Sequence, residues 1–507
     1  SLLLRGQAWG IYRMALRNIS SAKGTRHMVT LLQKRNYPVY ARMIAANYLY
    51  RAQDLDLSPY IQPLSQILAD ETDPRIRMSL AIGLGKTQDS IALVALQQQF
   101  RTDRDYRVKA TILSTLGNFD YSEGRQLALE GLRSPSVQVA RRSAQYLLEH
   151  GNGRDAEDYW RLTRDTFPWE VRALLYTAAH RHLPAYKIET REAINSDLRR
   201  QFRRATDVYE QAALLRALAE FGWNFRYIQR ESFSAEHPVL RSAGAEALQI
   251  ILNRPDFKRF FGAGWRRTRR EIALYLKEAI RSEDPGMMAI AASALRGLEP
   301  DFRDYLLRRD SSFLEEGLSS LELPKEIETY NSLLQTLALY TGQPQSEPVT
   351  PDYNHPIDWN IINNLRPAAR AVIRTDRGTI TLRLLPVHAP GSVANFVQLS
   401  SQGFYDGKTF HRVVPNFVIQ GGCPRGDGYG SLDYTIRSEL PDLHYDAAGY
   451  VGMASAGNHT EGTQFFITHS PTPHLDGNYS IFAQVESGQE IVNQIRIGDQ
   501  IEQISIQ

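Results

Sequence analysis

The chain is 507 residues long, with 42% hydrophobic and 23% charged residues and a formal net charge of +3. That is chain for about three ordinary domains, in the proportions of a globular protein, which sets aside disorder and low complexity. No uninterrupted apolar run nears the roughly 18 residues of a membrane helix, and the single cysteine, Cys423, excludes an intrachain disulfide.

The chain begins at Ser1 and not at methionine, so an upstream segment, whether signal peptide or lipid anchor, is expected to have been removed. From Ala41 onward one segment recurs: ARMIAANYL at Ala41, IRMSLAIGLG at Ile76, VKATILSTLG at Val108, VARRSAQYLL at Val139 and VRALLYTAA at Val171, with fainter copies near Glu210, Leu240 and Met287. Each carries small or aliphatic residues at helical period, a stripe wide enough to be covered on both flanks. Proline or aspartate stands ahead of several copies, as at Asp73-Pro74, Pro135 and Pro238, where a helix would start. Second amphipathic segments such as SIALVALQQQF lie between them. Recurrence at this spacing predicts stacked helix pairs over residues 1–340. A basic residue follows the first aliphatic position in several copies (Arg77, Lys109, Arg172, Arg241), and in this the array resembles HEAT repeats. Basic residues are concentrated here, for from residue 367 onward 9 Lys+Arg face 13 Asp+Glu. The excess reads as a solvated helical surface. The run WRRTRRE at 265–271 reads likewise as a helix start; it lacks the interleaved aromatics of a nucleic-acid platform, and no nucleic-acid partner is expected.

Residues 341–366 change character, with prolines at 344, 348, 351 and 356 and little periodicity. They predict a partly extended linker, docked through Trp359 and Ile361. Beyond it, in 367–507, the period drops to two. Ile380, Leu382 and Leu384 alternate with Thr381 and Arg383 after the turn Asp376-Arg377-Gly378, a hairpin signal. One short helix follows in PGSVANFVQLSSQG, ended by Gly403. Later short strands between glycine-rich turns suit a small β-barrel.

Two segments in this region carry chemistry. FHRVVPNFVIQGG at 410–422 and TQFFI at 463–467 set one arginine and two glutamines among large apolar residues. Strand alternation puts Gln464 and Phe466 on one face and Phe465 and Ile467 on the other, and pairs Val418 with Gln420. Taken alone, Phe466 would be core and Arg412 a surface ion-pair residue. With FYDGKTFHRVVPNFVIQGG, GDGYG, GMASAG, EGTQFFI and HLDGNYSIFAQV in one order and spacing, however, residues 368–507 closely resemble the cyclophilins, a class of peptidyl-prolyl cis-trans isomerases. The resemblance implies an eight-stranded antiparallel β-barrel with two helices, with no cofactor and no metal, acting on proline-containing polypeptides. It implies Arg412, Gln464 and Phe466 as catalytic and Phe417, Val418, Leu475 and Tyr479 as a proline pocket. Gln420 and Ser455 would hold the substrate chain, and Gly428, Ala454 and Ala456 would line a neighbouring groove. Four positions depart from the animal-type pattern: Val418 for methionine, Ser455 for asparagine, Tyr479 for histidine and His474 for a large aromatic. The last implies weak cyclosporin binding.

Other motifs carry less. GGCPRGDGYG lacks the spacing, following helix and lysine of a nucleotide loop. His411, on the strand face opposite Arg412, reads as a structural hydrogen-bonding residue, and Cys423 as incidental. The expectation is a bacterial, envelope-leaning fusion of a helical array, which recruits a protein partner or client, with an isomerase barrel. A non-catalytic proline-binding adaptor and a repeat scaffold are the alternatives.

Overall fold

The computed structural model describes residues 2–344 and 347–507, so Gln345 and Ser346 of the expected linker lie outside the described residues. Packing divides the chain into two compact units, Ser1–Leu183 and Pro184–Gln507.

In the first unit, the five clear sequence copies are helices α1 (Val39–Arg51), α2 (Pro74–Gly85), α3 (Tyr106–Thr115), α4 (Val137–His150) and α5 (Trp169–His182). Each packs on the next in chain order, burying aliphatic stripes such as Ile76, Leu80 and Leu84. Their starts follow capping chemistry: Asp73 accepts from the Arg75 N–H with Pro74 at the first helical position, and Asp105 accepts from Arg107 N–H. The basic residue after the first aliphatic position has a structural use. Arg77 of α2 donates to Asp103, just before α3, at 2.7 and 3.0 Å, and Arg42 of α1 pairs with Glu71, just before α2. Helices α1 and α2 thus each grip the acidic lead-in of their successor.

The second unit has helices stacked in the same way, α6 (Val208–Ala219), α7 (Pro238–Leu252), α8 (Pro285–Arg296) and α9 (Ile327–Thr341), and Arg241 of α7 repeats the rung by donating to Asp284 at 2.7 Å. In the run WRRTRRE, at the start of a helix, Arg266 donates to Asp301 at 2.8 Å and Arg269 pairs with Glu299. The segment after α9 lies on its neighbours: Asn331 and Val349 exchange hydrogen bonds of 2.9 and 2.8 Å, and the His355 ring stacks on Tyr434 at 4.0 Å. Trp359, expected to dock, is 55% exposed. Ile361, on the same short helix α10 (Trp359–Asn364), does pack on the barrel core.

The rest is an antiparallel sheet in the order β3-β4-β6-β5-β7-β2-β1-β8. Its strands are β1 (Arg370–Thr375), β2 (Gly378–Leu384), β3 (Arg412–Val414), β4 (Val418–Gly421), β5 (Tyr450–Met453), β6 (Phe465–Thr468), β7 (Ile481–Ser487) and β8 (Ile501–Ile506). The two edges meet through main-chain bonds between 407–410 and 498–501, including Phe410 N–H to Asp499 O at 2.9 Å and Ile501 N–H to Lys408 O at 2.7 Å. The sheet is thereby curled into a barrel. Ile380, Leu382 and Leu384 point inward as the alternation predicts, beside Phe465, Ile467 and Phe482. Each such side chain contributes about 1.5–3 kcal/mol by leaving water. Helix α11 (Pro390–Ser401) packs against this core and ends before Gly403, whose φ of +69° is left-handed. A second, shorter helix is α12 (Gln489–Val492).

The glycine-rich loop 423–430 rests on the later helix pairs. Arg425 donates to Asp284 and to Asp427, and Asp427 accepts from Ser242 Oγ at 2.8 Å. Tyr209 Oη donates to Gly426 O at 2.9 Å, so at the 2.6 Å contact with Thr409 Oγ1 the threonine is the donor.

Candidate active site

Pairing of β3, β4, β6 and β5 sets Arg412 opposite Gln420, Gln420 opposite Phe466, and Phe466 opposite Gly452. One register line across four strands therefore presents a cation, an amide, an aromatic ring and a bare backbone on the same face. Arg412 Nη1 donates to Gln420 Oε1 at 3.2 Å, and Gln420 Nε2 donates to Gln464 Oε1 at 3.1 Å. Gln464 Nε2 then donates to the carbonyls of Gly428 and Gly430 at 2.8 and 3.0 Å. The order of donors and acceptors is consistent along the chain and fixes both amide orientations. It also holds the guanidinium from one side while Arg412 itself stays exposed, 5.8 Å from the Phe417 ring centroid.

Beside this polar line lies an apolar patch separate from the barrel core: Val418, Phe466, Leu475, Ile481 and Tyr445 are buried, with Phe417 and Tyr479 at its rim. Phe466 meets Tyr479 edge-on at 5.6 Å and stacks on Tyr445 at 5.8 Å. Exposed His474 stacks on Phe417 at 5.2 Å. Tyr445 has no motif signal, and sequence reasoning missed it. The nearest clue is Gly452, where a Cβ would fall 2.2 Å from Tyr445 Oη and 2.4 Å from Phe466 Cζ. Gly428, Ala454, Ser455 and Ala456 line a second hollow that shares Gln420 and Gln464 with the first. The predicted residues thus fall into two adjoining recesses bridged by the glutamines.

His411 differs from its expected role. Gln464 and the Thr409 backbone lie close, yet among the described residues neither ring nitrogen has a hydrogen-bond partner of ordinary geometry. Burial, against the pull of Asp427, lowers its pKa to about 4, so the ring is neutral at pH 7. The Cys423 thiol is buried and accepts from the Gly428 N–H at 3.3 Å; burial raises its pKa. It packs under the loop and offers no thiolate.

Comparison with known proteins decides the identity. Residues 370–506 match the family described as cyclophilin type peptidyl-prolyl cis-trans isomerase/CLD. A peptidyl-prolyl cis-trans isomerase of Synechococcus elongatus is 48% identical over 139 residues, which cover 27% of this chain and 95% of that protein. The chain belongs to the cyclophilin-type peptidyl-prolyl cis-trans isomerases. Peptidyl-prolyl cis-trans isomerase B of Bacillus subtilis is 47% identical, across 26% of this chain and 93% of its own length. Isomerase ppi1 of Schizosaccharomyces pombe is 46% identical, across 24% and 80%. Similarity this even between bacteria and a fungus does not assign the cyclophilin to bacteria. Residues 61–149 match HEAT repeats, so this cyclophilin barrel follows a HEAT-containing helical array.

Proposed function

We propose that Arg412, Gln464 and Phe466 carry the isomerisation, with Phe417, Val418, Leu475 and Tyr479 holding the substrate proline. The observation behind this reading is the unbroken hydrogen-bond line Arg412–Gln420–Gln464 along the edge of an apolar, largely aromatic patch. Partial double-bond character sets a barrier of about 18–20 kcal/mol. A guanidinium directed at the prolyl nitrogen draws its lone pair out of amide resonance and lowers that barrier. Arginine suits this because it stays charged and presents a planar fork.

Reducing tens of seconds to about a millisecond needs about 5.5–7 kcal/mol. One charge-assisted hydrogen bond supplies about 1.5–3 kcal/mol, so Arg412 is one member of a set. The recess contributes by binding the ring in a dry setting, and the locked glutamine amides and the Ser455 backbone by holding the chain on either side of the twisting bond. Nothing in this scheme transfers a proton, which fits a site whose neighbouring His411 is neutral at pH 7. Cis–trans exchange measured on an X–Pro peptide tests the scheme: equal rates for the protein and its Arg412→Ala variant overturn it.

The helical array, in this reading, recruits polypeptide clients or a partner, as stacked helix pairs present extended surfaces, and raises the local concentration of their proline bonds at the barrel. Recruitment lowers KM for an unfolded protein substrate and leaves that for a short peptide alone. Equal KM ratios for the full chain and for a chain altered on its helical surface count against it.

A further inference from the structure

The second hollow is not built from the barrel alone. It has a volume of about 110 Å³, and one wall is the segment 324–329, the lead-in and first turn of α9. That segment lies outside residues 370–506, which match the isomerase family. The opposite wall is Gly428, Ala454, Ser455 and Ala456, with Gln420 and Gln464 at the edge shared with the proline recess. A peptide lying in the proline recess extends into this hollow within a residue or two, at about 3.3–3.6 Å per residue.

Its chemistry is one-sided. Lys325 pairs with Glu322 at 3.3 Å, and Glu326 accepts from the Glu322 N–H at 2.8 Å. Glu328 is accessible and forms no ion pair or hydrogen bond among the described residues. Crowding by protein, with repulsion from Asp427, raises its pKa. Two further groups in the lining lack partners: Thr435 and Thr463 are each only 1% exposed, and their hydroxyl oxygens have no hydrogen-bond partner among the described residues. A carboxylate without a counter-ion and two unsatisfied hydroxyls around one small hollow match a ligand group that is cationic and rich in donors.

We propose that this hollow receives a lysine or arginine side chain of the substrate, next to its X–Pro pair, and that Glu328 of the helical array makes the enzyme selective for it. The array then supplies part of the substrate groove, in addition to any recruiting role. The proposal rests on the proline recess described above being the reaction site.

The test uses the full chain and matched X–Pro peptides carrying lysine, alanine or glutamate on the residue before the pair, and a second set varied after it. The quantity read is the ratio of kcat/KM for the lysine peptide to that for the glutamate peptide, in the wild type, Glu328→Gln and Glu328→Lys. In one of the two sets, a ratio of about three- to five-fold is expected in the wild type, shrinking with added salt, falling towards one in Glu328→Gln and inverting in Glu328→Lys. The same ratio in all three proteins, in both sets, overturns the assignment. Arg412→Ala with the alanine peptide separates the two layers. If that variant is slow while the charge ratio ignores Glu328, only the groove assignment falls. If it is as fast as the wild type, the reaction site itself is misplaced and the groove falls with it.

Discussion

Arg425, in the glycine-rich loop of the barrel, donates from one nitrogen to both carboxylate oxygens of Asp284, the N-cap of α8, at 2.8 and 2.9 Å. Asp284 is the acid that receives Arg241 in the repeat-to-repeat rung. The barrel therefore docks by sharing a group the helical array already uses for its own stacking. The same loop supplies the Gly428 and Gly430 carbonyls that hold Gln464, so one short segment joins the array to the reaction site.

Removing Asp284 strands two arginines, one of them shared with Asp427. Asp284→Ala is expected to cost about 3–5 kcal/mol, whereas Arg425→Ala, which leaves Asp284 with Arg241, costs about 1–3 kcal/mol. Urea unfolding of the three proteins checks the order. Burial alone would raise the Asp284 pKa, but the bonds from Arg425, the Met287 N–H and Arg241 outweigh it and hold the carboxyl below its usual value. Its contribution is therefore complete above an unfolded carboxyl value of about 3.9 and is lost as pH falls through the lower folded value. Asp284→Asn should flatten the stability curve in that acid range.

Arg412→Ala is expected to lower kcat/KM by about 10- to 100-fold, matching the loss of one charge-assisted hydrogen bond. Arg412→Lys should recover only part of this, since an ammonium lacks the planar fork. Thermal stability should hardly change, because the side chain is exposed and its hydrogen bond among the described residues is to Gln420. Line-shape or exchange spectroscopy on a single X–Pro peptide measures the rate directly.

Gly452→Ala places a methyl group on Tyr445 Oη and Phe466 Cζ, both nearer than any Cβ contact allows. Relief requires the Phe466 ring to move, so the variant should lose about 1–3 kcal/mol of stability and several-fold in kcat/KM. Adding Tyr445→Phe removes the closer of the two clashes and should restore part of both. If activity stays at wild-type level while stability drops, Phe466 is not in the reacting set.

His411 is kept neutral by burial, with Asp427 pulling the other way and Arg412 reinforcing the shift, and its pKa falls to about 4. The unfolded chain binds this proton from about pH 6.5 downward while the fold refuses it until about pH 4. Stability should therefore decline as pH drops across that window, by about 3 kcal/mol in total from this group. A His411→Phe variant followed by denaturant melts from pH 7 to pH 4 should lose most of that slope. Activity on a short peptide should keep its pH profile between pH 7 and pH 5, as His411 stays neutral there and the scheme transfers no proton.

Much of this was legible without coordinates, for particular reasons. Helical period with small residues at Ala41, Ile76, Val108, Val139 and Val171 is a local property, and stacking follows because one unit cannot bury both flanks alone. The split of TQFFI into groove-facing Gln464 and Phe466 and core-facing Phe465 and Ile467 follows from the two-residue pleat, and the burial clusters keep those pairs apart. Trp359 misled because a large aromatic in a linker looks like an anchor, whereas the anchoring is done by Ile361, the His355 stack and the Asn331–Val349 bonds.

The sequence by itself determined the repeat array, the barrel family and the faces of its strands, since each is set by residues a few positions apart. Only the tertiary structure decided that Tyr445 lies under Phe466, that Arg425 reaches Asp284 across 141 positions of chain, and that the first turn of α9 walls a hollow next to Gln464. Such contacts depend on how separately folded segments approach one another, and no local period or motif spacing encodes that distance.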